Sequence, residues 1–163
     1  MSKFSLSIIN KIEKKIQEAN TFQYIESNKS VELIEALKQI SVLSGIAIYT
    51  WKSGLGLVNI RSSQTPLPAT RSVLEALKYA TKNHYYAVYV FPGVESKDLL
   101  EIKSTLPMAR EFLTVNENTR FLFLIKEKTQ FNFMKSNGEE IILFNQHTKK
   151  YKLRDNQWVL SDG

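Results

Sequence analysis

The chain has 163 residues and no cysteine, which excludes disulfides, thiolate zinc sites and a cysteine nucleophile and fits a reducing cytoplasm. Hydrophobic residues make up 43%, enough for one domain to bury a core without staples. The net charge of +6 is a modest excess spread over both halves, consistent with nucleic acid, an acidic partner or solubility alone. No run approaches the roughly 20 apolar residues of a membrane span, and the N-terminus lacks the apolar stretch and cleavage site of a signal peptide. No membrane partner is expected.

Residues 3–20 predict an amphipathic helix, with Ile8, Ile9, Ile12, Ile16 and Ala19 on one face. It reads as packing on a sheet. The alternative is a docking helix for a partner or a membrane surface, and its mixed charges argue against the membrane. Phe22 to Glu26 reads as a short strand. Ser30 is the expected N-cap of a second helix, whose stripe is Leu33, Ala36, Leu37, Ile40 and Leu43. Gly45 is placed to end that helix with φ > 0. Ile46 to Trp51 reads as a buried strand running into a glycine-bearing turn.

Thr70 is the expected cap of a third helix, with Val73, Ala76, Leu77 and Ala80 inward and Asn83 at its end. Tyr85 to Phe91 is a continuous apolar run, as in a strand covered on both faces. Ser96 caps a fourth helix that Pro107 should kink or break. Thr119 to Ile125 is the next strand. Alternating strands and helices joined by short links predict a wound, mostly parallel α/β sheet over residues 1–128.

Beyond residue 128 the helical period disappears. Asn137-Gly138 between Phe131–Lys135 and Glu139–Phe144 signals a hairpin. Tyr151–Arg154 and Gln157–Leu160 suggest a second. Residues 129–163 therefore read as a small antiparallel β-hairpin appendage of the same domain.

The turn after Trp51 is where an α/β nucleotide-binding domain would hold a phosphate. It contains Lys52, Ser53, Gly54, Gly56 and Asn59. A P-loop requires G-x-x-x-x-G-K-[ST], and no Gly-Lys-Ser/Thr follows these glycines. The dinucleotide pattern G-x-G-x-x-G fails at Asn59. The glycines then only shape a turn. The functional alternative is that Lys52 and Ser53 line a ligand or partner pocket at the carboxyl end of a strand.

Four segments carry a resemblance. They are Ile46-Ala-Ile-Tyr-Thr-Trp-Lys-Ser-Gly-Leu55, Leu74-Glu-Ala-Leu-Lys-Tyr79, Tyr85–Phe91 and Thr119-Arg-Phe-Leu-Phe-Leu-Ile125. Over about residues 22–127 the chain resembles the N-terminal domain of the plastid- and cyanobacteria-type AAA+ ATPases, a degenerate P-loop-like α/β domain. The resemblance implies a P-loop-like fold without Walker motifs. The family's ATPase module lies further along with its own P-loop, so the resemblance implies no ATPase activity for these residues.

Other chemistry is thinly represented. Tyr85–Phe91 ends in Phe91-Pro92-Gly93, without the acid that would hold Mg²⁺. Two histidines, His84 and His147, and three aspartates form no spaced metal-ligand set. There is no G-x-S-x-G elbow. Glu139 and Glu140 are neighbours on a strand, so they point to opposite faces. His147-Thr-Lys-Lys-Tyr-Lys-Leu-Arg154 is basic, with Tyr151 inside it and Trp158 nearby. Lys149, Lys150, Tyr151, Lys152, Arg154 and Trp158 could contact phosphates and stack bases. The alternative is an edge strand in which lysines block aggregation. The sequence thus points to a non-catalytic binding or regulatory module acting through a protein partner or self-association. Nucleic-acid binding by the tail is the alternative. No cofactor and no metal are expected.

Overall fold

The computed structural model describes residues 4–18, 22–62, 65–83, 85–93, 118–126 and 139–143, and the backbone of 151–154 and 157–160. In chain order the elements are α1 (Leu6–Ile16), β1 (Phe22–Glu26), α2 (Ser30–Ser44), β2 (Ala47–Lys52), β3 (Gly56–Asn59), α3 (Val73–Lys82), β4 (Ala87–Pro92), β5 (Thr119–Ile125), β6 (Glu139–Glu140), β7 (Tyr151–Arg154) and β8 (Gln157–Leu160). The first six strands form one sheet in the order β3-β2-β4-β5-β1-β6. All pairs are parallel except β2 with β3. The fold is mixed α/β with a mostly parallel sheet.

Local chemistry explains the helices. Ser5 caps α1, its Oγ accepting from the Ile8 N–H at 3.3 Å. Ser72 caps α3 in a reciprocal box, accepting from the Glu75 N–H while its own N–H donates to the Glu75 carboxylate. The expected cap Thr70 is instead buried beneath the edge of the sheet. Ser30 is likewise inside α2 rather than its cap. Lys29 holds the cap position and makes no side-chain capping bond. Gly45 ends α2 in the left-handed region, at φ +80°.

The stripe of α2 departs from expectation at its end. Leu43 is exposed and Ser41 takes the inward place. The Ser41 hydroxyl donates to the Ile46 carbonyl at 2.6 Å, which satisfies it where a leucine would have packed.

Two core clusters lie on the two faces of the sheet. Ile9, Ile12 and Ile16 of α1 and Leu33, Ala36, Leu37 and Ile40 of α2 pack over Ile25, Ile48, Val88, Val90, Leu122 and Leu124. Val73, Ala76, Leu77 and Ala80 of α3 pack over Phe22, Tyr24, Tyr49, Trp51, Tyr89, Phe91, Phe121 and Phe123. The connection from β1 through α2 to β2 passes two strands. The return through α3 to β4 moves one strand the other way. Crossovers of one hand that run in opposite directions place their helices on opposite faces, as here.

Two sequence expectations change. The stretch after Gly54 is not a link to a helix but an antiparallel edge strand, β3. The second concerns Glu139–Glu140, expected only in a hairpin that extends the domain. They extend the main sheet, parallel to β1 in the register Gln23↔Glu139 and Tyr24↔Glu140. The backbones of β7 and β8 pair antiparallel in a two-stranded sheet of their own. The fourth helix from Ser96 and the turn at Asn137-Gly138 lie outside the described residues.

Candidate functional site

Lys52, Ser53, Gly54 and Gly56 fall in one hairpin turn between β2 and β3. The Leu55 N–H donates to the Lys52 carbonyl at 3.0 Å. Gly54, at φ +80°, occupies the third position of that turn, where a type II turn requires φ > 0. Lys52 and Ser53 are exposed on the tip. Asn59 sits at the far end of β3, about 10 Å away at strand rise. Its Oδ1 accepts from the Arg61 N–H at 2.9 Å, shaping the turn there. The structure therefore separates Asn59 from the other four.

Gly56 is fixed by contact as well as by dihedral. Its φ is +118°, and a Cβ there would stand 2.6 Å from Thr70 Oγ1. That hydroxyl accepts from the Leu57 N–H at 3.0 Å and donates to the Leu67 carbonyl at 2.7 Å. The Leu67 N–H returns a bond to the Leu57 carbonyl at 2.7 Å. The segment before α3 thereby closes the outer side of β3 at Leu57. Trp51 adds a bond from its indole N–H to the Arg71 carbonyl at 3.2 Å.

Among the described residues the junction from β1 to α2 is a direct strand-to-helix turn, and sequence reasoning passed over it. Ser27, Asn28 and Lys29 alone connect the two elements. The Ser27 N–H donates to the Ile125 carbonyl at 2.8 Å, and the Lys29 N–H donates to Ser27 Oγ at 3.0 Å. Lys29-Ser30 at the helix start is a Lys-Ser pair, but no glycine precedes it. The carboxyl end of β4 is Phe91-Pro92, with no acid.

Two polar clusters sit at the amino ends of the strands. One holds the end of α1. Gln23 Nε2 donates to the Lys15 carbonyl at 2.6 Å, the Tyr86 hydroxyl to Ile16 at 3.2 Å, and Arg120 Nε to Glu18 at 2.9 Å. The Arg120 guanidinium also lies 5.5 Å from the centre of the Tyr86 ring. A cation at a helix C-terminus opposes the negative end of the macrodipole. A lone arginine inside the Phe/Leu run of β5 was the available sequence signal. Gln23 Oε1 is buried and has no partner among the described residues.

The second cluster joins tyrosines on the other face. The Tyr49 and Tyr85 hydroxyls are 2.6 Å apart, and Asn83 Nδ2 donates to the Tyr89 hydroxyl at 2.6 Å. Burial pushes the Tyr89 phenol well above its usual range, against the opposing Asn83 bond. Burial, then the bond to Tyr85, does the same to Tyr49. These phenols stay neutral near pH 7 and serve as hydrogen-bonding groups rather than nucleophiles.

The tail residues Tyr151, Lys152, Arg154 and Trp158 lie in β7 and β8, with Tyr151 opposite Leu160 and Leu153 opposite Trp158. Lys149, Lys150, His84 and His147 lie outside the described residues. Among the described residues no three His, Asp or Glu side chains gather as a metal site, and no helix is long and apolar enough to cross a membrane. Compared with protein-family models, curated proteins and solved structures, the chain matches none of them.

Proposed function

We propose that the protein is a non-catalytic binding or regulatory module, a P-loop-like sheet without its phosphate site, that works through protein contacts. One observation carries this reading: the strand-to-helix junction of β1 and α2 is too short and too engaged to hold phosphates. A phosphate cradle needs several converging backbone N–H groups supplied by a glycine-rich loop. Here three residues make the link, and the N–H groups of Ser27 and Lys29 already donate within the protein. The turn after β2 is a hairpin closed by its own Thr70. The strand order supports the same reading, because β1 lies inside the sheet with its helical connection crossing two strands.

The test is incubation of pure protein with ATP or GTP and Mg²⁺, read by phosphate release and by thermal shift. The expected outcome is neither turnover nor stabilisation. Turnover lost in Lys29→Ala or Lys52→Ala would overturn the proposal.

A second reading assigns nucleic-acid binding to the tail, favoured by β7 and β8 forming a sheet apart from the main one. Anisotropy of labelled oligonucleotides at two salt concentrations tests it. Salt-sensitive binding lost when Lys149, Lys150, Lys152 and Arg154 become alanine would support it.

A further inference from the structure

The end of α2 exposes two large aliphatic side chains in succession. Val42 is 59% exposed and Leu43 71%. Lys38, exposed, lies one turn before Val42 on the same helix. β3 runs antiparallel to β2 and ends near where β2 begins, at the end of the sheet to which α2 delivers the chain. Ile40 of α2, Ile48 of β2 and Ile60 share one core cluster, and the Ile60 N–H donates to the Ile48 carbonyl at 2.9 Å. Arg61, the next residue, is exposed. Along the same edge, at the hairpin tip, Leu55 is 57% exposed beside Lys52.

The chain that builds this edge carries no acid over a long stretch. Residues 36–74 contain no Asp or Glu. Of the acids that flank the stretch, Glu35 lies on α2 one turn before Lys38, and the Glu75 carboxylate accepts from the Ser72 N–H. The aromatic side chains within it, Tyr49 and Trp51, are buried, so this edge offers bases no stacking platform. A partner that fits brings carboxylates and aliphatic side chains together.

We propose that the corner formed by the last turns of α2 and the end of β3 docks an acidic, leucine-bearing segment of another protein. The proposal rests on the protein-contact reading above and names its surface. Lys38 and Arg61 would meet carboxylates. Val42 and Leu43 would bury their exposed area against aliphatic side chains. An isolated exposed leucine is ordinary; here Val42 and Leu43 are exposed in succession, and Lys38 and Arg61 give the corner a charge that complements an acidic partner.

The probe is a fluorescein-labelled synthetic peptide of Glu, Ala and Leu, with its leucines on one helical face. Anisotropy is read against the full chain. Expected is binding that weakens about tenfold between about 50 and about 300 mM salt. It should also weaken about tenfold or more in Lys38→Glu/Arg61→Glu. In Val42→Ser/Leu43→Ser, and with a leucine-free Glu/Ala peptide, it should weaken severalfold. All four side chains are exposed, and unchanged circular dichroism and melting confirm folding of the variants. Absent binding at low salt, or binding indifferent to these substitutions, overturns the proposal. So does tighter binding of a single-stranded oligonucleotide or of phosphatidylserine vesicles, which would assign the corner to nucleic acid or lipid. None of these results touches the non-catalytic reading, which falls only with nucleotide turnover.

Discussion

The face beneath α3 and the face beneath α1 and α2 share the same strands, yet one is aromatic and the other aliphatic. In β4 the alternation is Ala87, Tyr89 and Phe91 on one side and Val88 and Val90 on the other. In β5 it is Phe121 and Phe123 against Leu122 and Leu124. The aromatic rings form ladders across strands. Phe22 stacks on Phe121 at 5.3 Å, Tyr49 on Tyr89 at 5.6 Å, and Phe91 on Phe123 at 5.2 Å. Against these rings α3 turns Ala76 and Ala80 inward between Val73 and Leu77. The aliphatic face meets isoleucines and leucines from two helices. The aromatic side brings hydroxyls with it, which explains why the tyrosine network lies there. The difference shows how one sheet divides ring packing from branched-chain packing through a period of two.

The largest expected effect tests the ladders. Phe121→Ala removes a ring that touches Phe22, Tyr89 and Phe91, and should cost about 4 kcal/mol in urea unfolding. Leu122→Ala, its neighbour on the aliphatic face, should cost about 3 kcal/mol. A larger loss at Leu122 would break the comparison. Gly56→Ala should come next, at about 2–3 kcal/mol, because the new methyl meets Thr70 Oγ1 in a backbone region that alanine resists.

Arg120→Met sharpens the aliphatic side. Losing its bond to the Glu18 carbonyl should cost about 2 kcal/mol. Amide exchange should then accelerate in α1 and remain unchanged in α3. The tyrosine network gives a smaller, pH-dependent effect on the aromatic side. The folded state holds the buried Tyr89 proton more tightly than the unfolded chain, where tyrosine titrates near 10. Its contribution is intact below about pH 10 and is lost as pH rises above that value. Unfolding midpoints from about pH 8 to about pH 11 should therefore fall for the parent and fall less for Tyr89→Phe. Smallest of all, Leu43→Ser should change stability by no more than about 0.5 kcal/mol, since that leucine touches solvent.

Much of the sheet was legible because continuous apolar runs such as Tyr85–Phe91 and Thr119–Ile125 demand cover on both faces. Which face would be aromatic was also written in their alternation, beneath the run. The caps were harder. Thr70 and Ser72 are two residues apart, and only Glu75 three residues after Ser72 distinguishes the true cap. β3 was missed because Gly54 and Gly56 were read against a phosphate-loop template, although Leu57-Val58-Asn59-Ile60 is a fair short strand. The parallel place of β6 rests on pairing with a strand far away in sequence, which no local pattern encodes. Of the candidate site, the sequence marked the glycine turn but not what closes it, since Thr70 meets Leu57 through a fold-level contact. Leu43 followed the helical period inward, and only the Ser41 bond to Ile46 explains why it turned out.

The interior position of β1 sets an order on assembly. Phe22 pairs with Phe121, and Arg120 reaches the Glu18 carbonyl across a separation of 102 residues. The hairpin β2–β3, by contrast, closes within a few residues. During synthesis the β2–β3–α3–β4 unit can therefore form while the first strand waits, unpaired, until β5 has left the ribosome. That delay is the loop-closure cost of putting the earliest strand between two late ones. A chain halted before Thr119 would present β1 as an open parallel edge with its isoleucine helix uncovered. It should scatter light and bind chaperones, and a chain that also holds β5 and β6 should do so far less.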